Sequence, residues 1–239
     1  MFLSRLRSFV ITGMAFVVCV TQPAIAAKPT CTSDAMIVFD ASGSMAASDF
    51  PDGAPSRIDR VRQAISRFVP TVSKVRNLGL IIYGPGPHFD TCRNVSLRFR
   101  PIPNAGSRII SEVERAKPEG RTSLTAAVRL AARSFRTSDS VGTIVLVTDG
   151  EETCGGNPCK LASELKASYP NVTVHVIGYK LQSFDGYSAS SGAECLAEQT
   201  GGYTATVETI DALVRALTKS LGCPEVAWHK PAKPLLRQH

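Results

Sequence analysis

The stretch "AMIVFDASGSM", residues 35 to 45, decides the fold. Five apolar residues in a row are followed by Asp40, and then by Ser42 and Ser44 on either side of Gly43. An apolar run with no polar alternation marks a strand buried on both faces of a sheet. The polar end of the run has two readings. Asp, Ser and Gly are ordinary turn residues, and a carboxylate with two hydroxyls also makes part of a metal site.

Outward from this stretch the same pattern recurs. "LGLIIYG" (78 to 84), "TIVLVTDG" (143 to 150), "VTVHVIGY" (172 to 179) and the short "YTATV" (203 to 207) read as further strands. Between them lie segments of helical period. In "RIDRVRQAISRFV" (57 to 69), Ile58, Val61, Ile65 and Phe68 share one face, and "TIDALVRALTKSL" (209 to 221) repeats that spacing with Ile210, Leu213, Val214, Leu217 and Leu221. "TSLTAAVRLAARSF" (122 to 135), "CKLASELKASY" (159 to 169) and "GAECLAEQTGG" (192 to 202) complete the helical set. Buried strands alternating with amphipathic helices predict an α/β domain with a mostly parallel sheet covered on both faces. "NVSLRFR" (94 to 100) departs from the pattern by alternating Val95, Leu97 and Phe99 with polar residues ahead of Pro101. It reads as an edge strand, antiparallel to its predecessor because only a short loop separates them.

The first residues carry Arg5 and Arg7, an apolar stretch from Phe9 to Val20, and the small-residue pattern Ala24-Ile25-Ala26. This reads as a secretory signal peptide over residues 1–26, with a retained anchor as the alternative. An N-terminal segment (27–32), one domain (33–222) and a flexible basic tail (223–239) would follow. The mature protein is then expected to be secreted or periplasmic, with no membrane span once the signal is removed. Cleavage removes Cys19 and leaves Cys31, Cys92, Cys154, Cys159, Cys195 and Cys223, an even set that reads as disulfides in an exported chain, with thiolate metal ligation as the competing reading. The net charge is +7, of which Arg5 and Arg7 supply two, leaving +5 spread over the mature chain. No dense basic run with interleaved aromatics supports nucleic-acid binding. The turn after the first strand lacks G-x-G-x-x-G, which removes the dinucleotide reading.

In an open parallel sheet, functional groups collect at the carboxyl ends of strands where the strand order reverses. Three polar stops lie at such positions: "DASGSM" after the first strand, "EGRTSL" (119 to 124) before a helix, and "TDGEE" (148 to 152) after the most apolar strand. They would bring Asp40, Ser42, Ser44, Thr122 and Asp149 to one crevice. Hydroxyls and carboxylates are hard oxygen donors suited to magnesium or manganese, and neutral hydroxyl ligands leave the ion enough charge to seek an external anion. Gly43 is expected to let the two serines turn toward one center. Taken singly, Thr122 is also a helix cap and Asp149-Gly150 a turn.

The ordered combination of Asp-x-Ser-x-Ser, a mid-chain Thr before a helix, and Asp-Gly after the fourth strand resembles the von Willebrand factor type A domains over roughly residues 33 to 222. The resemblance implies a three-layer Rossmann-like fold with a central six-stranded sheet, mostly parallel with one short antiparallel edge strand, and helices on both faces. It also implies a metal-ion-dependent adhesion site. Ser42 and Ser44 would bind a divalent cation directly, Thr122 directly or through water, and Asp40 and Asp149 mostly through water and hydrogen bonds. The cofactor is expected to be Mg2+, with Mn2+ or Ca2+ as alternatives. The partner is expected to be a protein presenting an Asp or Glu carboxylate, with Arg121 and Glu151 on the rim of the site.

The cysteine-bearing loops "DGEETCGGNPC" and "ECLAEQTGG" look like a bacterial exported branch of that family. That places Cys92, Cys154, Cys159 and Cys195 near the metal rim. Cys154 with Cys159 and Cys92 with Cys195 is the simplest pairing, and the crossed arrangement is the alternative. Cys31 and Cys223 are expected to join the domain ends. A binding protein is therefore the first functional expectation. A periplasmic assembly or metal-insertion helper using the same site is the second. A metal-assisted hydrolase with Glu151 as base comes last, because no His or carboxylate pair stands in a base position.

Overall fold

The computed structural model describes residues 33–49, 54–85, 92–179 and 192–222. The signal-peptide reading, Cys31, Cys223 and the basic tail lie outside the described residues.

Six strands form one sheet: β1 (Asp34–Asp40), β2 (Leu78–Tyr83), β3 (Val95–Ile102), β4 (Gly142–Thr148), β5 (Val172–Tyr179) and β6 (Thr204–Val207). Their order is β3-β2-β1-β4-β5-β6, with every pair parallel except β2 and β3. The chain builds outward from β1 to β2 and β3, then crosses back to place β4 on the other side of β1. The reversal lies between β1 and β4, the place where functional groups collect at the carboxyl ends of such sheets. The register pairs Phe39 with Val147, so Asp40 and Thr148 leave the sheet side by side.

The helices are α1 (Arg57–Val72), α2 (Gly106–Arg115), α3 (Leu124–Arg133), α4 (Pro158–Ser168), α5 (Glu194–Thr200) and α6 (Ile210–Leu221). Alternation along β1 sorts the two cores. Ala35, Ile37 and Phe39 pack with Ile58, Ile65 and Phe68 of α1, Ile109 of α2 and Leu213 and Leu217 of α6. Met36 and Val38 pack on the other face with Leu124 and Val128 of α3, Leu161 and Leu165 of α4 and Leu196 of α5. Both faces of β1, β2 and β4 are buried, as their unalternated apolar runs require.

Helix α2 is an element the sequence reading does not single out. Its buried face is Gly106, Ile109 and Val113, with Ile110 packed beside them, a stripe short for a helix signal. Helix α3 begins at Leu124 with Ser123 at the cap position, so Thr122 lies just outside the helix and is not its cap. β3 runs through Pro101 to Ile102, with register shifts against β2 that suit an outer strand.

His175 lies on the outer part of β5, where its Nδ1 accepts from the Tyr203 backbone N–H at 3.2 Å and its ring leans on Tyr203. Burial, aided by the charges of Arg76 and Lys219, lowers its pKa from 6.5 to about 4. The neutral ring is therefore favoured by the fold. Its stabilisation is complete above the unfolded value of 6.5 and is lost as pH falls toward 4. Replacing His175 with glutamine is expected to remove a pH-dependent difference on the order of 1–3 kcal/mol between those limits. Denaturant midpoints of both proteins, measured from pH 7.5 down to about 4, would show it.

Candidate metal centre at the sheet switch point

Asp40 ends β1 fully buried, and its two oxygens are separately engaged. Oδ1 accepts from the Ser42 N–H at 2.7 Å, and Oδ2 accepts from the Thr148 hydroxyl at 2.6 Å. Tyr83, fully buried at the end of β2, donates in turn to Thr148 Oγ1 at 3.1 Å. A chain of hydroxyls thus orients the carboxylate from behind. Burial first, and then the nearby charge of Asp149, raises the Asp40 pKa from 3.8 to about 6.

Beyond Asp40 the chain forms a short 3-10 turn over Gly43–Ala46. Ser42 is buried and Ser44 is exposed, with their Oγ atoms 3.0 Å apart. Ser44 donates to Asp149 Oδ1 at 2.7 Å. Its single hydrogen is thereby used, so Ser42 is the donor between the two serines. The expectation for Gly43 is corrected: its φ is not positive, and the serines converge through the 3-10 turn. The glycine that the site depends on is Gly84, at φ +106, where a Cβ would lie 2.3–2.4 Å from the Ala41 carbonyl and Ser42 N.

The second and third loops are knitted to the first through the backbone. Gly43 N–H donates to Gly120 C=O and Glu119 N–H to Ala41 C=O, each at 3.0 Å. Thr153 N–H donates to Thr122 C=O at 3.0 Å, and Thr122 N–H donates to Thr153 Oγ1 at 2.9 Å. Thr122 and Asp149 are both buried. A Cβ placed on Gly150 would lie 3.9 Å from both Ser44 Oγ and Thr122 Oγ1, so a larger residue there would enter the space these hydroxyls face.

The five residues expected from the sequence are therefore brought to one place. Among the described residues no group of three or more His, Cys, Asp or Glu could hold a metal ion. The candidate donors are instead three hydroxyls between two carboxylates, a set of hard oxygens suited to a divalent cation. The 3.0 Å between Ser42 and Ser44 Oγ equals the edge between adjacent ligands of an octahedral ion with bonds of about 2.1 Å. The donor set fits such an ion.

Arg121 and Glu151, next in the chain to Thr122 and Gly150, are both exposed. Glu152, the next residue, has a structural role. Its two oxygens accept from Thr125 N–H and Cys154 N–H at 2.8 Å, capping the start of α3 and holding the third loop.

Three participants were not legible as site residues: Thr148, Tyr83 and Arg57. Arg57 donates from Nη1 to Asp149 Oδ2 at 2.9 Å, and from Nε and Nη2 to Asp49. A signal for it exists in the sequence. A cation in the first turn of a helix opposes the helix dipole and calls for nearby acids.

The pairing of Cys154 with Cys159 and of Cys92 with Cys195 is corrected. The bridges are Cys92–Cys154 and Cys159–Cys195, with Cα separations of 5.5 and 4.9 Å. Gly155 at φ +77 and the Asn157 cap of α4 turn the chain between Cys154 and Cys159, carrying them to different neighbours. Cys159 starts α4 and meets Cys195 at the start of the adjacent α5. Cys154 stays in the third loop, where Ser123 Oγ contacts both its Sγ at 3.0 Å and the Cys92 carbonyl at 3.1 Å.

The fold and this donor arrangement define a von Willebrand factor type A domain. The chain belongs to that family, whose model matches residues 35–152. Over 211 residues it is 30% identical to the uncharacterized protein YwmC of Bacillus subtilis (strain 168), covering 83% of this chain and 88% of that protein. It is similar in fold to an aerotolerance-related membrane protein from Bacteroides fragilis NCTC 9343, with a TM-score of 0.61 at 23% identity, covering 79% of this chain and 98% of that one. It is similar too to proximal thread matrix protein 1 of the mussel byssus, with a TM-score of 0.57 at 18% identity, covering 81% of this chain and 46% of that chain. That structure is described as having a zinc-occupied MIDAS motif, the metal-ion-dependent adhesion site. Among the described residues no helix is long and apolar enough to cross a membrane.

Proposed function

We propose that this protein is an exported binding domain that uses a divalent cation, magnesium first, to engage an acidic side chain of a protein partner. The observation that carries the reading is the convergence of Ser42, Ser44 and Thr122 between Asp40 and Asp149, with Ser44 exposed to the outside. A cation held there would supply Lewis acidity toward a carboxylate oxygen from outside the chain. The protein's own part is to present neutral hydroxyls in front and keep the carboxylates behind. Asp40 is tied to Thr148 and the Ser42 amide, and Asp149 to Ser44 and Arg57. The surrounding loops are cross-braced by backbone bonds, so the donors need little reordering to act together. Two disulfides near this rim support placement outside the cytosol.

The test measures retention of the protein on immobilised peptides that carry a single Asp or Glu. Three conditions are compared: magnesium, chelator, and Asp40→Ala with magnesium. Retention is expected only in the first. Equal retention in all three would overturn the reading, and turnover of a phosphoester or peptide lost in Glu151→Gln would replace it with hydrolysis.

A further inference from the structure

Arg57 occupies an unusual place. It is the first residue of α1, whose start is set by Ser56, capping the Asp59 N–H, and by Asp59 bonding back to Ser56 Oγ. A positive charge there meets the positive end of the helix dipole, and a helix has no need of it. Its guanidinium is instead spread over two carboxylates. Nε and Nη2 hold Asp49 in a forked pair, and Nη1 holds Oδ2 of Asp149, whose side chain is fully buried. The Arg57 N–H also donates to Ala47 C=O at 2.9 Å, closing the loop that begins with the two serines.

The consequence for Asp149 is specific. One oxygen takes the Ser44 hydrogen and the other takes Arg57, so both are engaged and the charge is compensated from within the chain. We propose that Arg57 is a positioning residue that acts as a built-in counter-charge to Asp149. It keeps the site's affinity for divalent cations moderate and prevents Asp149 from neutralising a bound ion, which keeps that ion attractive to an external carboxylate. Asp49 is the second half of the device, because it offsets the Arg57 charge that would otherwise repel the ion. The inference rests on the metal-site reading and adds to it the residues that set its strength.

The opposed charges give the two residues opposite effects, which loss of structure alone would not. With Mn2+ alone as the probe, titrated into the full chain by calorimetry, Arg57→Gln is expected to bind at least tenfold more tightly than wild type, and Asp49→Asn several-fold more weakly. Arg57→Lys keeps the charge and is expected to stay within about threefold of wild type. The double variant should return toward the wild-type value, because the removed charges cancel. Thermal unfolding of each variant shows whether it is folded. Should Arg57→Gln fail to fold, Asp49→Asn carries the test.

Equal or weaker Mn2+ binding by folded Arg57→Gln, or undiminished binding by Asp49→Asn, would overturn the role of Arg57 while leaving the metal site standing. Absence of Mn2+ binding by the wild type would overturn the site itself, and the role of Arg57 with it.

Discussion

Asp40→Asn is expected to abolish the response of the protein to divalent cations and, in chelator at pH 7, to make it more stable than the wild type. Burial and the charge of Asp149 raise the Asp40 pKa from 3.8 to about 6, so the folded chain binds a proton there more tightly than the unfolded chain does. For a raised carboxylate the stabilisation is present below the unfolded value and is lost as pH rises through the folded one. Near neutral pH the buried charge then costs on the order of 2–3 kcal/mol. Asparagine keeps the geometry without that cost. Its oxygen can accept from the Ser42 amide, and its amide can donate to Thr148 Oγ1, whose own hydrogen has the Gly150 carbonyl at 3.2 Å as an alternative.

The wild type should gain stability when magnesium or manganese is added at pH 7. That gain should shrink below about pH 6, where protonation of Asp40 competes with the cation. Asp40→Asn should show neither the gain nor its pH dependence. Denaturant curves with and without cation at pH 5 and 7 decide the matter, and an equal cation response in both proteins would contradict the assignment of Asp40.

The second large effect concerns the bridges. Removing Cys92–Cys154 by serine substitution of both residues is expected to cost on the order of 2–4 kcal/mol, because it frees a 62-residue separation in the unfolded chain. The same is expected for Cys159–Cys195, which spans 36 residues. The two should differ in their effect on cation affinity. Cys154 lies in the loop that bonds Thr122 at both N–H and C=O through Thr153, and Ser123 contacts both halves of its bridge. Cys159–Cys195 joins the starts of α4 and α5 instead. Loss of the first bridge should weaken Mn2+ binding several-fold, and loss of the second should leave it near wild type. Equal effects on affinity would refute the distinction.

A peptide map under non-reducing conditions should contain the Cys92–Cys154 and Cys159–Cys195 links. We also expect a Cys31–Cys223 link, because Arg76 bonds Ser33 Oγ at 2.9 Å and Leu221 C=O at 3.1 Å, holding the two ends of the described domain together.

Much of this architecture is legible in the chain because its signals are local. The apolar runs at 35–39, 78–83 and 144–147 are satisfied by strands covered on both faces. The stripe Ile58, Val61, Ile65 and Phe68 names the face that α1 buries. Asp-x-Ser-x-Ser, Thr122 and Asp149 stand out because each follows a strand or precedes a helix, and together they occur in a meaningful order. Helix α2 is harder to read because its apolar stripe, Ile109, Ile110 and Val113, lasts only about one turn.

Other features are set by distances that no local pattern encodes. Gly43 looked like the critical glycine from its place between two serines, yet Gly84 is the one that passes within contact of the serine loop. Proximity in sequence favoured Cys154 with Cys159. A helix cap and a left-handed glycine between them send each to another partner.

The sequence by itself determined the six strands, five of the six helices of the described residues, the antiparallel edge and the five candidate ligands, because hydrophobic period and the chemistry of oxygen donors are properties of short segments. Only the tertiary structure decided which cysteines meet, which hydroxyls stand behind Asp40, and that Arg57 shares Asp149 with Ser44. Those contacts join residues 62, 108 and 92 positions apart, and only packing of the sheet against its helices brings them within bonding distance.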